Sequence, residues 1–541
     1  MILRNFLNFI DQLLENISNQ IRSFYLNSNF YDKKISKVYN QELIYKPSPH
    51  LLSSLIKYQT KKINVDEILA ENLWEDKNEN INFKRLNNFY WFFSLDLKSS
   101  KKNTQKIISS WININRKYNS DSWGFDLTSK RIIAWLSNHS LTTDEASKDY
   151  LIIFNEMLQK QTNHLINEIK RSDKIDNKLI GCASIILVGL CYQNEKNYLS
   201  FGSILLKKIS KFILDNNGFL KSRDINELIF YLKYFILIRE WFKESQISIP
   251  EHIDETIYYL GQGYSFLWQN ISIDLMFNGN NISNNNNFDN YLKRLGYKFK
   301  NENNELGGYI ILKNKKISII MDAGHSPNFL HTKNYQSGAL SFEIISNGKK
   351  LISNCGYYKK KNSRFNQLSK SSAAHSTLII DDNSSCKFKK INNLLFVNKG
   401  LKVTKKKIIF EKDYWKIQAS HDGYLKKYSS IHEREVEFYP KQMKFIGIDK
   451  IIKKKTNYNY KFDIRFHLEP NVKLMKTQDN KTILIELDNE GWKFTCDEYD
   501  INIDNGLYFG NKNSYTENQN IFITGISNSQ TENIKWILNK I

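Results

Sequence analysis

The apolar residues of this 541-residue chain change their spacing part-way along it. Up to about residue 275 they recur every three to four positions, as in the run 225–242, which is the period of an amphipathic helix. Gly218 and Pro250 lie between such runs as helix breakers. After about residue 305 apolar and polar residues alternate in short runs separated by Asn, Asp, Gly and Lys, which is the period of a β-strand. The runs predicted as strands are 307–314, 315–324, 338–348, 349–358, 376–382, 408–413, 414–424, 434–440, 444–451, 461–469, 482–489, 491–496 and 520–526. We therefore predict a helical half followed by a large antiparallel β-sandwich, because strands without intervening helices pair antiparallel.

An asparagine-rich stretch, NGNNISNNNNFDNYLKR, lies between the two halves. It shows no apolar period, so we interpret it as a linker or an exposed loop. A chain of this length is expected to form two or more domains. We place a helical domain at residues 1–285, the asparagine-rich linker and domain entry at 286–304, and the β-sandwich at 305–541.

The charge of the chain is strongly positive, with 78 Lys and Arg residues against 56 Asp and Glu residues and a formal net charge of +22. Such a surface attracts polyanions, although a general bias towards Lys, Asn and Ile explains the charge equally well. The sequence contains no nucleic-acid recognition module, so we predict no nucleic-acid partner. The five cysteines are scattered, odd in number and form no CxxC motif, so the sequence supports neither a disulfide framework nor a zinc ribbon.

The N-terminal stretch MILRNFLNFIDQLLENISNQI begins like a signal peptide. Arg4, Asp11 and Glu15 interrupt its apolar runs and no small-residue cleavage site follows, so no clear export signal is predicted. Its apolar residues have helical spacing, which indicates an amphipathic helix that docks on its own domain or lies on a membrane surface. The longest apolar segments elsewhere are short or interrupted by Lys233, so we predict no transmembrane segment.

Three clusters in the β half carry side chains suited to chemistry, and each has a structural alternative. His325 and His331 of the first cluster also fit exposed loop residues, and His375 of the second also fits a packed residue before a strand. The HDGY and HERE segments of the third also fit a turn and a solvated strand end. No phosphate-binding loop, dinucleotide turn or GxSxG motif is present. The clusters are Asp322, His325 and His331; Asn354, Tyr357, Tyr358, Arg364 and His375; and His421, Asp422, Tyr424, His432 and Arg434.

The run ALSFEIISNGKKLISNCGYY, followed by NSRFNQLSKSSAAHSTLIIDD, resembles the C-terminal β-sandwich domain of the heparinase II/III-like family. The resemblance extends from about Gly307 to the C-terminus and is fainter in the helical half, through NKLIGCASIILVGL and SIDLMFNGN. It implies an N-terminal incomplete α/α toroid before the antiparallel β-sandwich. It also implies a polysaccharide lyase that cleaves beside a uronic acid by β-elimination. The periplasm or cell envelope is the implied location, with the cytoplasm as the alternative.

The resemblance maps four positions of the β half onto the family pattern. The His-x-His pair before the ALSFE strand reads Asn334 and Gln336 here, and the zinc-associated aspartate reads Asn354. Only the histidine of the AAHST segment, His375, is retained. One histidine and two amides make a poor zinc site, so we predict no zinc and no other cofactor.

In the helical half, the family's Asn-His pair near the substrate carboxylate corresponds to Asn177 and Lys178. The position of the family's catalytic tyrosine corresponds to Asn226, with Tyr231 and Tyr234 following further along the same helical run. Amide and cationic groups suit the binding of an acidic sugar, and tyrosine and histidine suit proton transfer.

We therefore predict a heparinase II/III-like protein that acts on an anionic, uronate-containing polysaccharide, as a lyase. The alternative is a non-catalytic protein for acidic-saccharide binding or envelope assembly that has kept the lyase fold. The sequence does not indicate the glycan or the oligomeric state. The predicted catalytic residues are His375, Tyr231 and Tyr234, and the predicted substrate-binding residues are Asn177, Lys178, Asn334, Gln336, Asn354, Tyr358 and Arg364.

Overall fold

A computed structural model shows helices in the first half of the chain and antiparallel β-sheets in the second, so the predicted order is confirmed. No helix among the described residues is both long and apolar enough to cross a membrane. The predicted amphipathic N-terminal helix falls mostly on residues 1–16, outside the described part. The structure describes residues 17–37, 43–53, 55, 74, 80–96, 99–192, 196–283, 285–360, 363–455, 459–511 and 514–541.

The helices follow the apolar period of the sequence, and several begin at a serine that caps the first turn. Ser147, for example, accepts a hydrogen bond from the backbone amide of Tyr150. The described helices are α1 Asn29–Ile35, α2 Pro49–Ser53, α3 Asn80–Asn87, α4 Lys101–Ile114, α5 Phe125–Ser137, α6 His139–Thr142, α7 Lys148–Glu168, α8 Ile175–Cys191, α9 Lys196–Ile213, α10 Ile225–Glu244, α11 Glu251–Tyr264, α12 Asn286–Leu295, α13 Arg364–Lys370 and α14 Leu425–Tyr428.

The strands form sheets of five, eight, four and two strands among the described residues. The sheet orders are β1-β2-β3-β4-β5, β14-β15-β16-β19-β12-β11-β10-β9, β17-β18-β13-β6 and β7-β8. The strands are β1 Glu305–Leu306, β2 Tyr309–Lys313, β3 Ile317–Asp322, β4 Phe342–Ser346, β5 Lys349–Ile352, β6 Leu378–Ile380, β7 Lys387–Ile391, β8 Leu394–Lys399, β9 Val403–Phe410, β10 Trp415–His421, β11 Ser430–Tyr439, β12 Lys444–Lys453, β13 Tyr460–His467, β14 Lys473–Lys476, β15 Thr482–Leu487, β16 Glu490–Thr495, β17 Ile501–Tyr508, β18 Thr516–Ser527 and β19 Thr531–Lys540.

The three larger sheets share one apolar core, as expected for a β-sandwich. Phe342 of β4 stacks on Trp536 of β19 with ring centroids 5.6 Å apart, and Phe466 of β13 packs edge-on against both rings. Large aromatic side chains bury much apolar surface and stabilise such a core. The predicted antiparallel β-sandwich is therefore confirmed.

The chain divides into two compact units that do not follow chain order. The helical unit comprises the described residues within Met1–Phe212, Tyr231–Ile257 and Asn287–Leu295. The sheet unit comprises those within Ile213–Phe230, Tyr258–Asn286 and Gly296–Ile541. The sequence-based boundaries at residues 285 and 305 concern independently folding domains and stay a prediction.

The interpretation of the asparagine-rich stretch as an exposed loop is wrong. Asn278, Asn280 and Asn281 are buried, and the stretch then continues into helix α12. The Asn281 amide donates to the backbone carbonyls of Tyr357 and Phe509. Buried amides that are hydrogen-bonded replace their lost water contacts, which is why a polar sequence lies in the interior here.

Candidate active site

A buried ion pair fixes the start of helix α10 against the five-stranded sheet. Arg223, just before the helix, places its Nη2 atom 2.6 Å from Oδ1 of Asp322 at the end of β3. The other Asp322 oxygen accepts a hydrogen bond of 2.9 Å from the Asn278 amide. A Cβ atom added to Gly324 would lie 2.3 Å from Cζ of Arg223, so the guanidinium requires a glycine there. Burial opposes the charge of Arg223, but Asp322 raises its pKa overall.

Asn334 lies at the centre of a group of proton-carrying side chains in the sheet unit. Its Nδ2 atom is 2.8 Å from Oδ2 of Asp224 and 3.4 Å from Oε1 of Glu227. Its Oδ1 atom accepts a hydrogen bond of 3.2 Å from the Tyr357 hydroxyl. One amide thus holds two carboxylates and a phenol in fixed positions, and we call these four residues the Asn334 cluster.

The environment of the Asn334 cluster raises the pKa values of Asp224 and Tyr357. Burial raises the pKa of the Asp224 carboxyl, although hydrogen bonds from the Glu227 amide and Asn334 and the charge of Lys359 oppose this shift. Burial likewise raises the pKa of Tyr357, and the two carboxylates raise it further. The Tyr357 hydroxyl therefore stays protonated at neutral pH and is able to donate a proton.

The sequence predictions omitted Asp224 and Glu227. Asp224 precedes helix α10, and its Oδ1 atom accepts a hydrogen bond of 3.0 Å from the backbone amide of Glu227. An acidic residue followed three positions later by glutamate, before an apolar run, is the signature of a helix N-terminus. That signal was available in the sequence, whereas the approach of Asn334 to both carboxylates required the fold.

Gln336 is buried, and its amide is fully hydrogen-bonded. Its Oε1 atom accepts from the backbone amide of Gly279 at 3.0 Å. Its Nε2 atom donates to the carbonyls of Gly356 at 3.0 Å and Ser369 at 2.5 Å. These bonds connect three separate segments of the sheet unit, so Gln336 has a structural role in addition to any role in binding.

Asn354 is also buried and engaged by its surroundings. Its Oδ1 atom accepts from the backbone amide of Ser376 at 2.9 Å, and its Nδ2 atom lies 3.4 Å from Oε1 of Glu343. Glu343 in turn pairs with the buried Lys350, with 3.1 Å between Nζ and Oε2. The amide at position 354 therefore joins a buried polar network.

His375 directly precedes Ser376 and is only 1% exposed. Neither ring nitrogen has a hydrogen-bond partner of standard geometry among the described residues. Burial lowers the pKa of His375 to about 3, with the Ser369 carbonyl opposing the shift. The ring is therefore neutral at physiological pH. The close approach of Gly338, whose added Cβ would lie 2.9 Å from the ring, shows how tightly it is packed.

The side chains of Gln336, Asn354 and His375 do not offer the donor set of a zinc site. The amides of Gln336 and Asn354 are occupied by backbone and carboxylate partners, and amide groups are poor zinc ligands. No group of three or more His, Cys, Asp or Glu residues suited to a metal occurs in the described part of the chain.

Tyr358 and Arg364 are the remaining predicted substrate-binding residues of the sheet unit. Tyr358 is buried and packs edge-on against Phe365 and Phe509, with ring centroids 5.4 and 5.6 Å apart. Arg364 is the exposed first residue of helix α13. Tyr358 thus supports the apolar packing, whereas the Arg364 guanidinium is open to an anionic ligand.

Four candidates belong to the helical unit. Asn177 and Lys178 are half-buried in the first turn of helix α8, and Tyr231 and Tyr234 are buried in α10. The hydroxyl of Tyr234 lies 3.3 Å from that of Tyr90, which the sequence predictions omitted. Burial raises the pKa of Tyr234, so its hydroxyl is protonated at neutral pH.

Three residues of the third predicted cluster, His421, His432 and Arg434, belong to a buried structural network. Arg434 and His432 both contact Asp449, with 2.7 Å to its Oδ1 atom in each case, and the ring of His421 lies 3.2 Å from that of His432. Burial alone would raise the pKa of Asp449, but Arg434 and His432 lower it overall. The HERE segment is therefore not a solvated strand end, because its alternate side chains meet a charged partner inside the sandwich.

Residues 302–537 match the family model of the heparinase II/III-like C-terminal domain. The chain carries a heparinase II/III-like C-terminal domain. No protein of curated function matches the chain significantly in sequence.

Solved structures with a similar fold include several heparinases. The heparan sulfate lyase HepC of Pedobacter heparinus superposes with a TM-score of 0.63 and 14% identity, covering 86% of this chain and 77% of that protein. A heparinase III gives a TM-score of 0.64 and 15% identity over 90% and 80% of the two chains. Another heparinase III gene product superposes with a TM-score of 0.69 and 13% identity, covering 91% of this chain and 88% of that protein. At these identities the likeness establishes a shared fold that extends beyond the heparinase-like domain.

Proposed function

We propose that this heparinase-like chain is a lyase for an anionic, uronate-containing polysaccharide. The observation that carries the proposal is the Asn334 cluster, in which two carboxylates and a phenol meet around one of the two positions where the family resemblance implies a His-x-His pair. The heparinase-type fold supports the substrate class, and the net charge of +22 suits a polyanion.

The proposed reaction is a β-elimination with two proton transfers. A base removes the proton α to the uronate carboxylate, and the electron pair left on that carbon forms the new double bond as the bond to the glycosidic oxygen breaks. Glu227, which is less buried than Asp224, is the proposed base. The Tyr357 hydroxyl protonates the departing oxygen, since its raised pKa keeps its proton in place. Asn334 positions all three groups.

Cationic side chains of the sheet unit would balance the charge that develops on the uronate carboxylate. The charge of Lys359 already acts on Asp224, and Arg364 is exposed at the start of α13. A cation beside an enolate-like intermediate lowers its energy relative to the ground state. The catalytic roles of His375, Tyr231 and Tyr234 stay predictions, as do the substrate contacts of Asn177 and Lys178.

The test is the ultraviolet absorbance of unsaturated uronate, measured over a panel of acidic glycans. We expect Glu227→Gln and Tyr357→Phe to reduce kcat by about a hundredfold or more on the glycan that the native protein cleaves, because each removes a proton-transfer group. Tyr515→Phe, which alters an exposed tyrosine elsewhere in the sheet unit, is the matched control. Native turnover by both cluster variants would refute the assigned roles.

A second candidate function is binding of an acidic saccharide without cleavage. Two observations favour it: the two histidine positions before β4 hold amides, and the retained His375 is buried and neutral. Saturable binding on a glycan array, together with no absorbance change on any bound glycan, would select this function over the lyase. We further propose that the protein uses no zinc, and that it acts in the periplasm or cell envelope, which is the location that the family resemblance implies.

A further inference from the structure

A cavity of about 710 Å³ opens in the sheet unit, in the region of the HDGY segment that the proposed reaction does not use. Its lining comes from residues 383–387, 399–400 and 422–428. A volume of this size is typical of sites for small molecules or single sugar units. Four of its lining side chains are lysines, namely Lys387, Lys399, Lys426 and Lys427, and we call it the lysine cavity.

Two of these lysines stand directly opposite each other in a β-hairpin. Lys387 of β7 is the cross-strand partner of Lys399 of β8. Like charges directly opposite on paired strands repel and destabilise the pairing. The repulsion between the two ammonium groups is reduced when an anion binds between them.

Within the described part of the chain, carboxylates leave the charges of these lysines unpaired. Among the described residues, Lys387, Lys399 and Lys426 form no ion pair with a carboxylate, and all three are exposed. Lys427 donates to the Asn383 amide oxygen at 2.8 Å, which is a neutral partner. The one acidic lining residue, Asp422, accepts a hydrogen bond of 2.7 Å from the backbone amide of Lys402. Repulsion from Lys426, and less from Lys387, lowers the pKa of Lys399.

Hydrogen bonds and a close backbone contact join the segments that line the cavity. The buried Tyr424 donates its hydroxyl to the carbonyl of Leu378 at 2.8 Å and lies 3.3 Å from that of Asn383. A Cβ atom added to Gly423 would lie 2.6 Å from the carbonyl oxygen of Ser385, so two lining segments meet at a glycine. The segments that carry Lys387, Lys426 and Lys427 are therefore in direct contact, which favours a preorganised site.

We propose that the lysine cavity binds an oxyanion group, such as the sulfate or carboxylate of an acidic saccharide. Lysine ammonium groups are strong donors to oxyanions, and several of them around one cavity favour a ligand with more than one negative oxygen. The inference concerns a second binding site and holds whether or not the Asn334 cluster turns over substrate.

The test measures the acetylation rate of individual lysines by mass spectrometry in the intact protein, at constant ionic strength. The probes are inorganic sulfate, a sulfated uronate-containing tetrasaccharide and the same tetrasaccharide without sulfate. We expect the sulfated tetrasaccharide to slow the acetylation of Lys387, Lys399 and Lys426 by at least about threefold. Lys390, an exposed lysine of the same strand β7 that does not line the cavity, is the internal control and should react at an unchanged rate.

Substitutions then test the same site by affinity. Lys399→Gln and Lys426→Gln should each raise the Kd of the sulfated tetrasaccharide by about three- to tenfold, whereas Lys390→Gln should leave it unchanged. Equal protection by inorganic sulfate would assign the site to a free oxyanion, and protection by the saccharide alone would assign it to a saccharide group. Either result supports the site. If the acetylation of Lys390 slowed as much as that of the cavity lysines, or if Lys390→Gln raised the Kd as much as the cavity substitutions, binding would be diffuse charge attraction. Either result would overturn the proposal.

Discussion

At the scale of single residues, the most informative side chain is Asn334. A histidine at this position could itself exchange a proton, whereas an amide cannot titrate. The asparagine instead uses both ends of its amide, donating towards Asp224 and Glu227 and accepting from Tyr357. The proposed reaction therefore assigns the proton transfers to the neighbours of Asn334 and none to Asn334 itself.

His375 gives a prediction about pH. Its folded-state pKa of about 3 lies below the value near 6.5 of an unfolded chain. Between these values the unfolded state binds a proton that the folded state does not, so stability falls as pH decreases through that window. From pH 6.5 to 5 this one residue should cost about 2 kcal/mol of unfolding free energy.

Urea unfolding of His375→Leu at pH 7 and pH 5 checks this expectation. The variant should lose less stability than the native protein over that interval, by about 2 kcal/mol. His50→Gln, at an exposed position, should behave like the native protein. An identical pH dependence of native and His375→Leu proteins would show that this ring is accessible to protons in the folded state. His467, whose pKa burial also lowers to about 3, would contribute in the same way to the acid sensitivity of both proteins.

At the scale of elements, sequence patterns predicted the interior strands best. The strands that were missed include β1, β7, β8, β14 and β17, which lie at sheet edges or in the two-stranded hairpin. An edge strand is more open to solvent, so its apolar alternation is weaker and a local pattern is harder to read. β19 is the exception, because it is central and shows Ile534, Trp536 and Leu538 in alternation, which the sequence reading overlooked.

The interpretation of the asparagine-rich stretch as an exposed loop was wrong for a different reason. Composition predicts an exposed loop because isolated polar groups are costly to bury. Here the amides of Asn278 and Asn281 bond to Asp322 and to backbone carbonyls far away in the sequence. Such partners are brought together only by the folded sandwich, so no local pattern could indicate them.

The ion pair between Arg223 and Asp322 gives a prediction at this scale. Asp322→Asn leaves the buried guanidinium without its counter-charge, and we expect a loss of about 3 to 5 kcal/mol in unfolding free energy. The matched control is Asp488→Asn, which breaks the exposed pair with Lys349 and should cost less than about 1 kcal/mol. If chemical denaturation showed an equal loss of unfolding free energy in Asp322→Asn and Asp488→Asn, the anchoring role of Arg223 at the start of α10 would be contradicted.

At the scale of the whole molecule, the change of apolar period was sufficient to predict helices followed by an antiparallel sandwich, and the run 339–382 was sufficient to indicate the family. The composition of the Asn334 cluster was not predictable, because Asp224 and Asn334 are 110 residues apart in the chain. A helix cap and a loop amide become one site only when the chain is folded.

The net charge of +22 leads to a prediction about binding. Raising the ionic strength from about 0.05 to about 0.5 M shortens the Debye length by about threefold and screens exposed lysines. We expect the affinity for an acidic polysaccharide to fall by at least about tenfold over that range, as measured by fluorescence anisotropy of a labelled chain. A neutral polysaccharide of equal length is the control. Salt-independent binding of the acidic chain would show that its charge is not what the protein recognises.

The central claim, cleavage by elimination, is tested most directly by mass spectrometry of the products formed in water enriched in ¹⁸O. Elimination breaks the bond without adding water, so the products should together match the mass of the substrate and contain no newly introduced ¹⁸O at the cleavage site. One fragment should carry the new carbon–carbon double bond. Incorporation of one ¹⁸O atom per cleavage, with no double bond, would mean hydrolysis and would contradict the account.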